Sequence, residues 1–229
     1  MSAALTLHIS QLRFRWPGQG HDVLELTNMA LPAGDRLLVR GDSGCGKSTL
    51  LSLAAGVQLP SAGEVSLLGQ AWQALSARQR EQRRADHVGY VFQQFNLLPY
   101  LSVLDNVMLP CRLSARRAQR SGHPKQAAQH LLAALDLAPR LWSRPASQLS
   151  VGQQQRVAAA RALIGQPELV IADEPTSALD ERRRDAFMQL LIEQCQQAGS
   201  ALLFVTHDER LQAYFEHTLH MPGVAENQA

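Results

Sequence analysis

Short apolar runs alternate with longer amphipathic stretches along this chain. Near its start, Leu5, Leu7 and Ile9 alternate with polar residues, and so do Leu24 and Leu26. This alternation predicts two half-buried strands, separated by a turn at the Pro-Gly pair that begins at residue 17. More continuous apolar runs predict strands buried on both faces. These runs are 36–40, 88–92, 169–172 and 201–205.

Helical segments separate the apolar runs. A helix rich in Leu and Ala is predicted from about Lys47 to Gly56, and another from Arg182 to Gly199. Residues 95–165 lack strand alternation, are rich in Ala, Leu, Gln and Arg, and are divided by prolines. They predict an inserted helical lobe. Buried strands that alternate with helices predict an α/β fold with a parallel sheet and helices on both faces.

The length of 229 residues suits one domain, 1–229, in which 1–94 and 162–229 form a core and 95–161 form the helical lobe. No segment approaches the roughly 18 apolar residues of a membrane helix, and the first residues do not resemble a secretion signal. We therefore expect a cytoplasmic chain whose link to a membrane runs through a partner. A net charge of +2 is too weak to indicate a nucleic-acid partner. The three cysteines form neither a metal-binding nor a disulfide pattern.

A glycine-rich segment between the strand 36–40 and the helix after it matches the phosphate-binding pattern G-x-x-x-x-G-K-[ST]. Its residues, with the threonine that follows, are Gly41, Asp42, Ser43, Gly44, Cys45, Gly46, Lys47, Ser48 and Thr49. Glycines let backbone N–H groups point at phosphate oxygens, and the helix adds its positive N-terminal end. Lys47 supplies a charge to the β- and γ-phosphates, and the Ser48 hydroxyl is a ligand for Mg²⁺. Taken alone, the motif leaves kinases, GTPases and helicases open.

Two further buried runs end in polar residues. The run 169–172 leads into Asp173 and Glu174, and the run 201–205 leads to His207. Since ligands of parallel α/β sheets bind at the carboxyl ends of the strands, these side chains should face the nucleotide. Asp173 is then placed to hold Mg²⁺, Glu174 to act as general base for the attacking water, and His207 to contact the γ-phosphate. A helix cap formed by the two acids is the simpler alternative.

Further motifs, in the same order along the chain, resemble those of the ABC ATPase family. The segment 149–156, with Ser150, Gly152 and Gln153, is similar to the ABC signature sequence. The segment 177–180, ending in Asp180, looks like the D-loop, and Gln93 matches the Q-loop glutamine. Trp16 stands where the family places an aromatic ring that stacks on adenine. The resemblance covers essentially the whole chain.

This resemblance implies a P-loop NTPase (RecA-like) core with a parallel sheet, an N-terminal antiparallel β-subdomain and an inserted helical subdomain. It implies ATP and Mg²⁺ as ligands, Gln93 as a contact to Mg²⁺ and water, and a catalytic set of Glu174, His207, Lys47 and Gln93. It also implies a head-to-tail pair with a second copy or a paralogue, in which one phosphate loop faces the other chain's signature. An integral membrane permease is the expected further partner, which would hold the chain on the inner face of the cell membrane.

The segment 91–107 and the short C terminus look like the subgroup of lipoprotein-releasing ATPases and macrolide-type exporters. Export, or extraction of lipids or lipoproteins from the envelope, is therefore the expected task. The alternative is an ABC ATPase that acts on the ribosome or DNA rather than in transport. One residue departs from the family pattern, because Val151 stands where the signature usually has glycine. A β-branched residue disfavours a positive φ, yet Gly152 is kept, so we expect the site to remain active.

Overall fold

The computed structural model describes residues 4–42, 44–177 and 179–221. Ser43 of the predicted phosphate loop therefore lies outside the described residues. The chain divides into two compact units, Met1–Arg84 with Ala201–Ala229, and Ala85–Ser200. The boundaries expected from the sequence were drawn where strands give way to helices, whereas these units are defined by compactness. The core and the lobe therefore stay a prediction.

An antiparallel sheet makes up much of the first unit, with the strand order β2-β1-β4-β5. Its strands are β1 (Leu5–Phe14), β2 (Leu24–Pro32), β4 (Ala62–Leu67) and β5 (Gln70–Ala71). The two predicted strands are confirmed, and the sequence reading missed the other two. One face is apolar because Leu7 and Ile9 of β1 lie opposite Leu31 and Met29 of β2, and all four side chains are buried.

The alternation at the start of β1 differs from the sequence expectation. Leu5 is 38% exposed, whereas Thr6 is buried. The cause is a register shift between Leu5 and Leu7 against β2, which moves the first residues of the strand to the opposite face. An irregularity of this kind depends on the neighbouring strand and leaves no mark on the local hydrophobic pattern.

The described part of the first unit also contains three parallel strands. Strand β3 (Arg36–Arg40) lies between β8 (Ala201–Val205) and β9 (His217–His220), in register with Val205 opposite Val39. Every residue of β8 is buried, as its unbroken apolar sequence predicts. Helix α1 (Lys47–Ala54) follows β3 at the predicted position, and Gly56 lies just beyond its end with φ 66°.

The second unit is mainly helical. Its parallel strands β6 (Val88–Val91) and β7 (Leu169–Asp173) pair with Val91 opposite Ala172. Helix α2 (Ala77–His87) leads into it from the first unit. The other helices are α3 (Val103–Leu113), α4 (Ala115–Arg120), α5 (Pro124–Ala134), α6 (Val151–Leu163) and α7 (Glu181–Ala198). Short 3₁₀ turns across both units are Trp72–Ala74, Pro139–Leu141, Ala146–Gln148 and Glu209–Tyr214.

A buried arginine joins the helices of the second unit to its strands. The guanidinium of Arg117 donates to the carbonyl oxygens of Ile164, Ala162 and Val88 at 2.7, 2.5 and 3.3 Å. Burial lowers the pKa of this side chain to about 10. It nevertheless remains charged at neutral pH, and it satisfies carbonyl groups that would otherwise be buried without a donor.

Glu168, just before β7, accepts hydrogen bonds from three cationic or titratable side chains. His87 Nδ1 lies 2.9 Å from one carboxylate oxygen, and guanidinium nitrogens of Arg116 and Arg120 each lie 2.6 Å from the other. Partial burial by itself raises the pKa of Glu168. The hydrogen bonds from His87 and Arg116 outweigh that effect and bring the pKa down to about 2.

We expect Glu168 to stabilise the fold above about pH 4.5 and to lose this contribution as the pH falls toward about 2. The sign follows because a carboxyl group with a lowered native pKa binds fewer protons in the folded state than in the unfolded state. Glu168→Gln should lower the free energy of unfolding at pH 7, measured by urea denaturation, and the difference from the wild type should shrink below about pH 4.5. Glu216→Gln, at an exposed carboxylate, is the control. A difference that stays constant down to pH 3 would contradict the assignment.

Candidate nucleotide-binding site

The phosphate loop connects β3 to α1 in the first unit. Gly44 and Gly46 have φ of 83° and 93°, a left-handed conformation that glycine adopts without steric cost. Gly46 caps the helix without any side-chain hydrogen bond, and the first turn of α1 contains no acidic residue. Helices α3, α6 and α7, by contrast, are capped by Ser102, Ser150 and Asp180. The N-terminal amides of α1 thus have no side-chain acceptor from their cap and suit a bound anion.

The ammonium group of Lys47 is held inside this loop. The residue is 8% exposed, and its Nζ donates to the carbonyl oxygens of Gly41 and Asp42, both at 2.8 Å. Cys45 is also buried, with its Sγ 3.9 Å from Nζ. A Cβ atom at Gly41 would lie 2.5 Å from that sulfur, so the loop is closely packed. A positive charge is therefore held within the loop by its carbonyl groups, next to the N terminus of α1, and both features suit an anion such as phosphate.

The remaining predicted residues of the first unit lie close to this loop in the chain or at the same sheet edge. Ser48 is exposed and Thr49 is half-buried in the first turn of α1. His207 follows β8 and is exposed, and the amide of the preceding Thr206 donates to the Val39 carbonyl at 3.3 Å. Because β3 and β8 are parallel, His207 and the phosphate loop leave the sheet at one edge, as predicted.

Trp16 lies in the turn between β1 and β2. Its ring meets Phe14 edge to face, with centroids 4.9 Å apart and an interplanar angle of 85°. The side chain is 38% exposed. A flat aromatic surface held by a buried neighbour is suited to stack on a planar base.

In the second unit, Gln93, Asp173 and Glu174 lie at the carboxyl ends of β6 and β7, which are adjacent. Asp173 is the last residue of β7 and is half-buried, whereas Gln93 is exposed. Glu174, also half-buried, has φ 42°. A glutamate in the left-handed region is strained, and such strain persists where the surrounding structure holds a side chain in a required direction. Sequence reading identified the residue but not its backbone conformation.

Tyr90 is a neighbour of this acidic end that the sequence did not indicate. Its ring stacks on Phe92 with centroids 4.1 Å apart. Burial raises the pKa of Tyr90, and the charge of Asp173 raises it further. The phenol therefore remains protonated near the Asp173 carboxylate. The strand pattern showed only that residue 90 belongs to β6, and the proximity to β7 depends on the parallel pairing.

Gln93 belongs to a tight turn that was not predicted. The amide of Phe95 donates to the Phe92 carbonyl at 2.9 Å, and that of Asn96 donates to the Gln94 carbonyl at 2.7 Å. Phe95 and Asn96 have φ of 59° and 46°. Phe95 is buried, whereas Tyr100 is 75% exposed. The apolar residues that follow Gln93 therefore serve partly for internal packing and partly lie at the surface.

Helix α6 begins within the signature segment, at Val151. Ser150 caps it, because its side-chain oxygen accepts the Gln153 amide at 3.4 Å while Gln153 Oε1 accepts the Ser150 amide at 3.0 Å. Val151 is 50% exposed and is the first helical residue, without a positive φ. The backbone strain that a β-branched residue would bring is thus absent.

Gly152 is a helical residue that the fold of the chain does not require. A Cβ atom there would meet only a Leu179 methyl group at 4.0 Å. Asp180, by contrast, has a structural function, because its carboxylate accepts the Arg183 amide at 3.0 Å and caps α7.

Among the residues that the structure describes, no cluster of three or more His, Cys, Asp or Glu side chains could bind a metal ion. The donors predicted for Mg²⁺ at Ser48, Gln93 and Asp173 are of mixed type, with one carboxylate.

The described part of the chain also contains no helix with both the length and the hydrophobicity needed to cross a bilayer.

Comparison with known proteins identifies the family of the chain. A family model described as ABC transporter matches residues 24–177. An uncharacterized ABC transporter ATP-binding protein, YbbA of Escherichia coli (strain K12), is 44% identical over 207 residues, which cover 89% of each chain. The lipoprotein-releasing system ATP-binding protein LolD of Legionella pneumophila (strain Paris) is 40% identical over 198 residues, 86% of each chain.

Among solved structures, the dimeric bacterial ABC transporter cassette MJ0796 matches with a TM-score of 0.82 and 31% identity, and covers 94% of both chains. The same cassette is known as a dimer in a post-hydrolysis state with ADP and Pi, with equal similarity to this chain. These matches confirm the predicted fold class and give no support to an action on ribosomes or DNA. The chain belongs to the ABC transporter family, as an ATP-binding and ATP-hydrolysing subunit.

Proposed function

We propose that this chain works in pairs, with a second copy or a paralogue, and that each ATP binds between the phosphate loop of one chain and the signature helix of the other. The N terminus of α6 is the observation that supports this most directly. Ser150 and Val151 are exposed there, and open space surrounds the Cα of Gly152. Glycine disfavours a helix relative to alanine, so the close approach of a group from outside the chain explains this residue.

Within such a pair, the phosphate loop would bind the β- and γ-phosphates through its amides and Lys47, and Trp16 would stack on adenine. The Ser150 hydroxyl still has a hydrogen to donate, since only its oxygen serves the cap. Together with the Gly152 amide, it would contact the γ-phosphate at the positive end of α6. Asp180 would contribute to the same interface beside its function as a helix cap.

For hydrolysis, Glu174 is the proposed general base that takes a proton from the attacking water. It stands directly after β7, with a left-handed backbone at φ 42°. His207 and Gln93 would orient the water and the γ-phosphate. The oxygen atoms of Ser48, Gln93 and Asp173 are ligands of the hard type that Mg²⁺ prefers, and the ion would neutralise charge on the phosphates.

The membrane partner and the cargo are inferred from the relatives. LolD is by name a lipoprotein-releasing component, and the segment 91–107 resembles that subgroup. We propose that the chain acts on the inner face of the cell membrane through a permease, in export or in extraction of lipids or lipoproteins. ATP would favour the closed pair and hydrolysis the open one, and this difference in affinity would drive the permease.

Purification of the tagged chain from gently solubilised membranes tests the transport proposal. We expect a membrane protein to accompany it in a fixed ratio, identified by mass spectrometry, and retained when the salt is raised to 0.5 M. A Lys47→Ala chain expressed at the same level separates permease binding from ATP binding. Recovery of ribosomes or DNA in place of a membrane protein would refute the transport proposal and leave the ATPase activity unaffected.

Glu174→Gln should stop hydrolysis without preventing ATP binding. The amide cannot accept a proton, so we expect kcat to fall by about 10²-fold or more, measured as phosphate release. Since unhydrolysed ATP holds the two chains together, gel filtration with ATP and Mg²⁺ should give a dimer, and without ATP a monomer. A monomer under both conditions would refute the paired site.

Gly152→Ala should raise stability and lower activity. The Cβ atom has room in the single chain, and alanine favours a helix by up to about 1 kcal/mol, so we expect Tm to rise by about 1–4 °C. In the Glu174→Gln background, the same change should prevent the ATP-dependent dimer. Gly20→Ala, at another glycine with open space and no positive φ, is the control. Normal dimer formation by the Gly152→Ala variant would show that no group approaches this residue closely.

A further inference from the structure

Arg161 is a buried cation whose partners are all backbone groups. It lies in the last turn of α6, is 9% exposed, and donates to the carbonyl oxygens of Phe95 and Asn96, both at 2.6 Å. Among the described residues, no carboxylate lies within ion-pair distance of it. Burial lowers its pKa, as expected for a cation without a counter-ion. A buried charge without a counter-ion is costly, which indicates that these two hydrogen bonds matter.

The two carbonyl groups belong to the strained turn that contains Gln93. Phe95 and Asn96 are consecutive residues with positive φ, a conformation disfavoured for a large side chain such as phenylalanine. The hydrogen bonds within the turn are made by its amides, while the carbonyls of Phe95 and Asn96 point to the guanidinium. Arginine presents its donors as a rigid fork and can bind both oxygens at once, which the single ammonium group of lysine does less well.

Helix α6 connects this contact to the signature. The helix is capped at Ser150 and contains Arg161 in its last turn, a separation of about 16 Å at 1.5 Å per residue. Ser150 is held by its reciprocal bonds with Gln153 at one end, and the Gln93 turn is held by Arg161 at the other. The Gln93 turn and the signature cap are therefore fixed to opposite ends of one helix.

We infer that Arg161 is a positioning residue that sets the Gln93 turn relative to the signature helix of the same chain. This inference rests on the proposed function, since Gln93 and Ser150 are the groups that would act on ATP. Arg161 itself touches neither nucleotide nor water in this arrangement. It keeps the turn in the strained conformation that presents Gln93, so that movement of Gln93 and movement of the signature are coupled.

Hydrogen–deuterium exchange of the Arg161→Lys chain, without any nucleotide, tests whether Arg161 holds the Gln93 turn. We expect amides of residues 93–96 to exchange at least about tenfold faster than in the wild type, because the ammonium group of lysine lacks the rigid fork with which Arg161 holds both carbonyls. Arg161→Gln, which buries no charge, should show the same local change if the lysine variant folds poorly. Arg117→Lys is the matched control, since Arg117 is also buried and also bound to carbonyl groups, but outside the turn.

Steady-state ATP hydrolysis by the same variants tests the coupling. We expect Arg161→Lys to lower kcat by about tenfold through misplacement of Gln93, with KM for ATP changed by less than about threefold. Asn96→Gly, which adopts a positive φ readily, should restore part of the lost kcat in the Arg161→Lys chain and none in the Arg117→Lys chain.

Unchanged exchange at residues 93–96 would overturn the inference that Arg161 holds the Gln93 turn. Faster exchange with unchanged kcat, or an equal loss of kcat in the Arg117→Lys chain, would overturn the positioning role. A wild-type chain without ATPase activity would instead count against the proposed function, and the exchange result would stand by itself.

Discussion

The strands that lead into the site are buried along nearly their whole length, and this constraint decides where polar side chains can stand. Leu38, Val39 and all of β8 are out of contact with water, as are the first four residues of β7. A charged group within these strands would lose its hydration without a partner. The candidate reactive groups therefore lie at the carboxyl ends, where Gly41, Asp173 and His207 are found. The burial that stabilises each unit is thus the reason why its reactive groups collect at an edge.

Several backbone carbonyls in loops and at the ends of helices and strands need donors from side chains. Lys47 serves the phosphate loop, Arg117 serves the end of α6 and the start of β6, and Arg161 serves the Gln93 turn. Each is a buried cation bound to carbonyl oxygens. Such a cation imposes geometry as well as charge, because losing one hydrogen bond leaves a buried group without a partner. In the Gln93 turn, such bonds hold Phe95 at a positive φ that its side chain does not favour.

Two features at the N terminus of α6 have opposite meanings for the signature. Val151, which departs from the family pattern, lies on the surface as the first helical residue and strains nothing. Gly152, which follows the pattern, has no reason in the packing of its own chain. The departure is thus tolerated because a helical φ suits valine. The glycine is consistent with the close approach of a second molecule.

Much of this protein was predictable because its signals are local. The strand 36–40, the glycine pattern before Lys47 and the acidic pair after the run 169–172 each lie within a few residues, and the structure has strands and helix where they were expected. The candidate residues at the strand ends were proposed in the same way, by type and by position next to a buried strand. Leu5 was assigned to the wrong face, because a register shift against β2 is set by a partner strand.

Only the tertiary structure decided how those residues are held. Tyr90 approaches Asp173, and Arg161 bonds to the carbonyl of Phe95, so both contacts join segments that are far apart in the chain. The positive φ of Glu174 and of Phe95 also left no mark on the sequence. An arginine in the last turn of a helix looks the same in sequence whether it faces water or a distant loop. The sequence by itself therefore determined the chemistry at each strand end. The conformation of the loops was decided by long-range packing, because strained backbone persists only where distant groups supply the donors that stabilise it.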